Sequence, residues 1–283
     1  MYENPVITIL TPSYNQGRFI EETIISIKNQ TYPFIEHIII DGNSSDNTID
    51  VIKSHEKDYN LTWISEKDDG QAEAIEKGLL RAKGSILTWI NSDDYYLSNT
   101  AIEKIMNVFI VNQDIDILTG NGIYIDEKGS FLDKIETDKK YLSLLYMKRA
   151  DFILQPSTFF RKKTIENIAI NKKCTYVFDW LLFLNMLENG FKISWIDDFI
   201  SAYRIHSTHK TGDDNSRRRL EIALLMKRNY GKKSISTMYC FGIYYLYILI
   251  ERTSKKNQQK IKPVIRKINR IFAKISDYKL YSC

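Results

Sequence analysis

Apolar and polar positions come in blocks over the first hundred residues, and the blocks repeat in a fixed order. Val6 to Leu10 is a short, β-branched run that reads as a buried strand. It leads into Thr11-Pro12-Ser13-Tyr14-Asn15-Gln16-Gly17, a loop by composition. Phe19, Ile20, Thr23, Ile24 and Ile27 then follow the spacing of an amphipathic helix. The cycle recurs three times. Ile35 to Ile40 is a strand ending at Asp41-Gly42, and a segment rich in capping residues, Asn43 to Thr48, precedes a helix over Ile49 to Lys57. Leu61 to Ser65 is a strand followed by Asp68-Asp69-Gly70-Gln71 and a helix over Ala72 to Ala82, with Ala72, Ile75, Leu79 and Leu80 on its apolar face. Ser85 to Ile90 is the fourth strand, and it stops abruptly at Asn91-Ser92-Asp93-Asp94.

Four β–loop–α units predict an α/β fold with a parallel sheet, helices on both faces and right-handed crossovers. Ligands of such sheets bind outside the carboxyl ends of the strands, so Tyr14, Asp41, Asp69 and Asp93 are expected along one edge. The crevice is nucleotide-sized, but the chain carries neither GxGxxG nor a P-loop, which disfavours a dinucleotide or phosphate-loop enzyme. Two adjacent carboxylates at a strand exit either face water in a turn or meet a cation, because burying them unpaired costs several kcal/mol.

Beyond Thr100 to Asn112, a predicted helix, the alternation lapses. Ile115 to Leu118 reads as a strand, and Ile123-Tyr124-Ile125 and Phe131-Leu132 flank Asp126-Glu127-Lys128-Gly129 as a hairpin. Gln155 to Phe160 is expected to be extended, and Phe178-Asp179-Trp180 opens a helix that Gly190 ends. An irregular second half suits a region that holds a second, variable substrate.

Composition adds an asymmetry. From Lys210 to Cys283 there are 18 Lys/Arg against 5 Asp/Glu, a net +13, whereas the residues before hold 22 against 30, a net −8. The tail is expected to meet an anionic surface, with no nucleic-acid partner. Met238 to Ile250 is almost wholly apolar, too short to span a bilayer, and therefore re-entrant, interfacial or buried. From Lys260, Ile261, Val264, Ile265, Ile268, Ile271, Phe272 and Ile275 keep helical spacing, with Lys262, Arg266, Lys267, Arg270 and Lys274 opposite. That pattern reads as a membrane-surface helix, or else one docked on the catalytic domain or a partner copy. Three widely spaced cysteines and an N-terminus without a basic–apolar leader point to the cytoplasm. With 43% hydrophobic and 27% charged residues the chain has a real core and is not disordered.

Five polar stretches, Thr11-Pro12-Ser13-Tyr14-Asn15, Asp41-Gly42 with Ser44 to Thr48, Asp69-Gly70-Gln71, Asn91-Ser92-Asp93-Asp94 and Phe178-Asp179-Trp180, resemble in order and spacing those of family 2 glycosyltransferases. Those are inverting enzymes of the GT-A fold, and the resemblance, to bacterial O-antigen and capsule enzymes among them, covers residues 5 to about 210. It implies a GT-A domain over 1–210, with a nucleotide-sugar half (1–112) and an acceptor half (113–210), and a helical, membrane-associating tail over 211–283. It further implies that Thr11, Pro12 and Tyr14 wall a uracil ring, that Asp41 and Asp69 contact uracil and ribose, and that Gln71, Asn91, Ser92 and Asp93 complete donor binding. Mn²⁺ or Mg²⁺ would sit on Asp93 with Asp94 near and His206 as a further ligand. Asp179 would be the base, with Gln155 and Trp180 on the acceptor side. Each role has an ordinary counterpart: Asp41, Asp69 and Asp179 could cap helices, Gln155 could be a strand edge, and His206 could belong to a basic surface loop. Asn91 stands where the family usually has Asp, which weakens the expected charge.

The expected function is metal-dependent transfer of a sugar from a UDP-sugar to a polyprenyl-diphosphate-linked or other saccharide in bacterial surface polysaccharide synthesis, at the inner face of the membrane, with the oligomeric state open. The alternatives are a transferase acting on a soluble or protein acceptor, and a silent sugar-nucleotide-binding scaffold of a membrane complex, toward which Asn91 leans.

Overall fold

The computed structural model describes residues 4–207, 215–255, 257, 258 and 260–265. Strands β1 (Ile7–Ser13), β2 (Ile35–Asp41), β3 (Leu61–Ser65) and β4 (Ile86–Trp89) alternate with helices α1 (Ile20–Lys28), α2 (Thr48–His55) and α3 (Gln71–Leu79). All contacts among these four strands are parallel, with β1 between β2 and β4 and β3 outside β2. The order of strands and helices in the repeating half is as its pattern predicts.

The irregular half adds β5 (Tyr95–Tyr96), α4 (Ala101–Val111), β6 (Ile117–Ile125), β7 (Phe131–Ile135), α5 (Leu144–Met147), β8 (Thr158–Arg161), α6 (Phe178–Glu188) and β9 (Ile193–Arg204). These strands extend the same sheet, in the order β3-β2-β1-β4-β8-β6-β9-β5, with β7 paired to β6 as the expected hairpin. The first strand added, β8, lies antiparallel to β4 and to β6, and β9 returns parallel to β6.

Period-two alternation assigns the strand side chains to two cores. Leu10, Ile38, Ile40, Leu87 and Trp89 face α3 and α6, where the Trp89 ring stacks on Phe183 at 5.7 Å. Ile7, Ile9, Ile86 and Ile90 face the other way, onto Ile102, Ile105 and Phe109 of α4.

Three expectations change. The first strand runs on through Thr11, Pro12 and Ser13, which composition assigned to a loop. Pro12 lies past Leu10, the last residue of β1 paired with β4, so its missing N–H interrupts no ladder on that side. Leu80, expected on the apolar face of α3, lies beyond the helix and is 80% exposed. Gly78 takes the buried place instead, because a Cβ there would come within 2.7 Å of Ile40. Lastly, β6 is one strand where composition suggested two, and Gly120 and Gly122 pass through it at register shifts against β9. A Cβ on Gly122 would lie 2.7 Å from the Ser201 carbonyl, so here glycine marks close strand approach rather than a break.

The C-terminal helices are α7 (Ser216–Tyr230) and α8 (Ile235–Glu251). They pack on each other, and Ala223, Leu225 and Met226 of α7 with Cys240 of α8 join the same core as Trp89. No helix among the described residues is long and apolar enough to cross a membrane. Ile265 packs with Tyr247 and Ile250, while Ile268, Ile271, Phe272 and Ile275, with Arg266, Lys267, Arg270 and Lys274, lie outside the described residues.

Candidate active site

A cavity of about 690 Å³ opens where β1 and β4 end, within the range of small-ligand sites. Pro12, Tyr14, Asp69, Gln71, Asn91, Ser92, Asp93, Asp94, Gln155 and Asp179 all line it. Residues far apart in the chain are thus brought to one place, at the carboxyl edge of the parallel strands.

Two expected donor residues stand behind this wall. Thr11 is fully buried, and its hydroxyl meets Nε2 of His37 at 2.9 Å. Burial pushes the His37 imidazole down to about 3, so it stays neutral. Asp41 is also fully buried, and its carboxylate accepts hydrogen bonds from the Ser44 N–H at 2.9 Å, the Ser44 hydroxyl and the Ser65 hydroxyl at 2.7 Å. Asp41 therefore shapes the turn after β2, and it is Gly42 that lines the cavity. Ser13, given no role from the sequence, also lines it, and its buried Oγ has no hydrogen-bond partner among the described residues.

The acidic turn is held from several sides. The Gln71 amide donates to Asn91 Oδ1, and the Asn91 amide donates to Asp94 Oδ2 at 3.2 Å. Asp94 Oδ1 accepts the Arg204 N–H at 2.9 Å. Burial, then the charge of Asp93, raise the Asp94 carboxyl well above the usual carboxylate range. Arg204 is itself 1% exposed. Its guanidinium donates to the Asp93 carbonyl at 2.9 Å and to Glu22 Oε2 at 2.8 Å, and it stacks over Phe19 at 5.1 Å. Nothing in the sequence pattern singled out Arg204, because its partners come from α1, the acidic turn and the β6–β7 hairpin.

His206, two residues past β9, brings Nε2 to 2.9 Å from Asp93 Oδ2. Its side chain is buried, while that of Asp93 is 17% exposed toward the cavity. A hard carboxylate oxygen beside an imidazole nitrogen suits Mn²⁺ or Mg²⁺, with the remaining positions left for phosphate oxygens and water. Asp94 is instead committed to Asn91 and Arg204. Among the described residues no group of three or more His, Cys, Asp or Glu could hold a metal by itself, so a cation here would need its ligand's oxygens.

On the acceptor side, Asp179 lies in the first turn of α6 and accepts the Trp180 N–H at 2.8 Å. It lines both this cavity and a second one of about 250 Å³, which Asp151 and Trp180 also line. Asp151 was not foreseen. Burial and the charge of Asp179 push its carboxyl up to about 8. Trp180 is 5% exposed, and its indole N–H donates to the Met147 carbonyl at 2.6 Å, so most of its ring belongs to the core and little is left for a sugar to stack on. Gln155 lines both cavities and donates to the Trp89 carbonyl at 2.6 Å. The peptide leading into α6 is fixed by Glu221 of α7, whose carboxylate accepts the N–H groups of Thr175, Tyr176 and Val177 at 2.8, 2.7 and 3.3 Å.

The fold has close counterparts among solved structures. Staphylococcus aureus TarS, solved with UDP-GlcNAc, superposes with a TM-score of 0.67 at 16% identity over 89% of this chain and 77% of that one. The mannosyltransferase PcManGT of Pyrobaculum calidifontis, solved with GDP-Man and Mn²⁺, gives 0.64 at 14% identity over 98% and 85%. The sheet is that of GT-A glycosyltransferases. Among sequences, an uncharacterized glycosyltransferase of Methanocaldococcus jannaschii is 24% identical over 86% of this chain and 84% of its own length. The putative teichuronic acid biosynthesis glycosyltransferase TuaG of Bacillus subtilis is 33% identical over 46% of this chain, and the match spans about half of TuaG, 52%. The model of glycosyl transferase family 2 matches residues 8–167, more than half of the sequence, and the chain belongs to that family.

Proposed function

We propose that this glycosyltransferase moves a sugar from a UDP-linked donor to a saccharide acceptor with inversion at the anomeric carbon, in the assembly of a bacterial surface polysaccharide. The observation that carries the proposal is the single cavity lined by Asp93, which His206 touches from behind, and by Asp179. One carboxylate is placed for a diphosphate and its cation, the other for an acceptor hydroxyl. The UDP-GlcNAc complex of TarS and the putative part of TuaG in teichuronic acid biosynthesis support the donor and the pathway.

In this reading Pro12 and the exposed ring of Tyr14 wall the uracil, and Ser13 Oγ offers the base a buried hydroxyl. Asp69 and Asn91 lie on the ribose side. Asp93 and His206 would hold Mn²⁺ or Mg²⁺, which would supply positive charge to the diphosphate leaving group. Asp179 accepts the proton of the acceptor hydroxyl as that oxygen attacks the face opposite the nucleotide. Asp94, Asn91 and Arg204 keep the acidic turn in place and exclude water from behind it. Asn91 fits a working site: its amide accepts from Gln71 and donates to Asp94, whereas a carboxylate could accept from Gln71 but has no N–H to give Asp94. That is the specific observation against a silent scaffold. We assign the acceptor to a lipid-diphosphate-linked saccharide and the protein to the inner membrane surface on the strength of the basic tail.

The test is thermal stabilisation by UDP with and without Mn²⁺, against other nucleoside diphosphates. Ligand at about a hundred times its dissociation constant adds roughly 2.7 kcal/mol. A rise that is specific to UDP, needs Mn²⁺ and vanishes in Asp93→Ala is expected. Stabilisation by GDP instead would overturn the donor, and none by any nucleotide would overturn the transferase reading.

A further inference from the structure

Helix α8 has two apolar rows, and they face different things. Tyr239, Cys240 and Ile243 point inward and, with Ile222 of α7, wall the smaller cavity beside Asp179. Ile235, Met238, Tyr245 and Leu249 lie on the other side of the helix, each between 60% and 79% exposed. Their spacing of three, seven and four residues makes one continuous stripe. Exposed Lys232 and Lys233 precede the helix, and exposed Arg252 and Lys255 follow it. An apolar rod with cationic ends is the chemistry of a helix lying in an anionic lipid interface.

The cavity has a matching polarity. Asp179 and Gln155 mark the end it shares with the donor cavity. The side formed by Ile222, Tyr239 and Ile243 is mostly hydrocarbon and aromatic ring, with Arg218 and Arg219 of α7 also lining the cavity. A sugar placed against the Ile222 and Ile243 side chains would lose hydration without gaining a hydrogen bond from them. Resting on the transferase reading above, we propose that this cavity is the acceptor site for a glycolipid: the saccharide end meets Asp179, the hydrocarbon end lies against the inner row of α8, and the outer row of the same helix rests on the anionic bilayer that delivers it. The C-terminal helices are then a wall of the acceptor site as well as a membrane contact.

The test separates the two rows. With full-length protein, n-octyl β-D-glucoside below its micelle concentration is compared with glucose by calorimetry, and binding to phosphatidylglycerol-containing liposomes is measured by flotation. Octyl glucoside is expected to bind about tenfold or more tighter than glucose. Ile243→Asp is expected to remove that preference while liposome binding persists, and Met238→Glu with Leu249→Glu to release the protein from liposomes while the preference persists. A photoreactive alkyl glucoside with its diazirine at the chain end, applied to wild-type protein, should label peptides containing Ile222 or Ile243, so the result does not depend on a variant folding. Equal binding of the two sugars, labelling elsewhere, or loss of both readouts together from either row in protein that still melts cooperatively would overturn the proposal. None of these readouts uses UDP, so a failed donor reading and a failed acceptor reading are told apart.

Discussion

Glu221 lies 42 residues after Asp179 in the chain, yet it is the residue whose removal should test most directly how Asp179, the proposed base, is held. Its buried carboxylate accepts three consecutive N–H groups, those of Thr175, Tyr176 and Val177, immediately before the first turn of α6. The negative charge also faces the amino end of that helix, where the backbone dipole favours an anion. Hydrogen bonds to a charged acceptor contribute about 1.5–3 kcal/mol each. The two short bonds dominate, and water would re-satisfy part of the loop, so Glu221→Ala should cost about 3–4 kcal/mol. The Arg217 ion pair, 3.7 Å long and largely exposed, adds little. Glu221→Gln keeps a carbonyl that can accept two of the three donors and should cost about 1–2 kcal/mol. At about 2 °C per kcal/mol for a chain this long, melting should fall by roughly 6–8 °C and 2–4 °C. Activity should fall further than stability, because a shift of about 1 Å in a catalytic group costs on the order of 100-fold. The assay is UDP release at saturating donor, with donor affinity measured separately. If Glu221→Gln melts with the wild type and keeps its kcat, the carboxylate is not what places Asp179.

Asp179→Asn should abolish turnover while UDP still stabilises the protein in a melt, as the proposed role of Asp179 at the acceptor hydroxyl requires. Asn91→Asp should lower the melting temperature in metal-free buffer by facing a second carboxylate onto Asp94, with part of the loss recovered on adding Mn²⁺. Arg204→Lys keeps one charge but not the fork reaching both the Asp93 carbonyl and Glu22, so Mn²⁺-dependent UDP binding should weaken about tenfold in a titration. For Asp151 the sign follows from the raised carboxyl: the folded state keeps a proton between pH 3.8 and about 8 that the unfolded state releases, so its contribution to stability falls as pH rises through that window. Asp151→Asn should therefore gain on the wild type in melting temperature between pH 5 and pH 8.5, and a constant difference across that range would refute the assignment.

The parallel half was legible because β1, β2 and β4 are buried on both faces and each helix on one, so hydrophobic period carries the answer. Tyr14, Gln71, Asn91 and Asp93 reach one cavity because strand exits share an edge, and Asp179 joins them from the first turn of α6. Period says nothing of which residue at an exit points forward, and Asp41 and Thr11 lie behind the wall for that reason. Gly120 and Gly122 misled because a glycine admitting a close neighbour looks, in sequence, like one that ends a strand. Arg204, Glu221 and Asp151 were invisible because each is defined by partners from distant segments. A lone charged residue in an irregular stretch has no local signature of burial.

The strand order bears on how the chain is made. The first four strands are complete by residue 89, but β4, at the edge of that nascent sheet, acquires its other neighbour only with residues 158–161. Ile86, Leu87, Thr88 and Trp89 are all buried in the finished protein, so for some seventy residues of synthesis β4 is an open, apolar edge. At about 5–20 residues per second that exposure lasts several seconds, ample time for strand pairing with a neighbouring chain. Slow translation between residues 90 and 158, or truncation in that interval, should therefore favour aggregation far more than the same delay after β8 has formed.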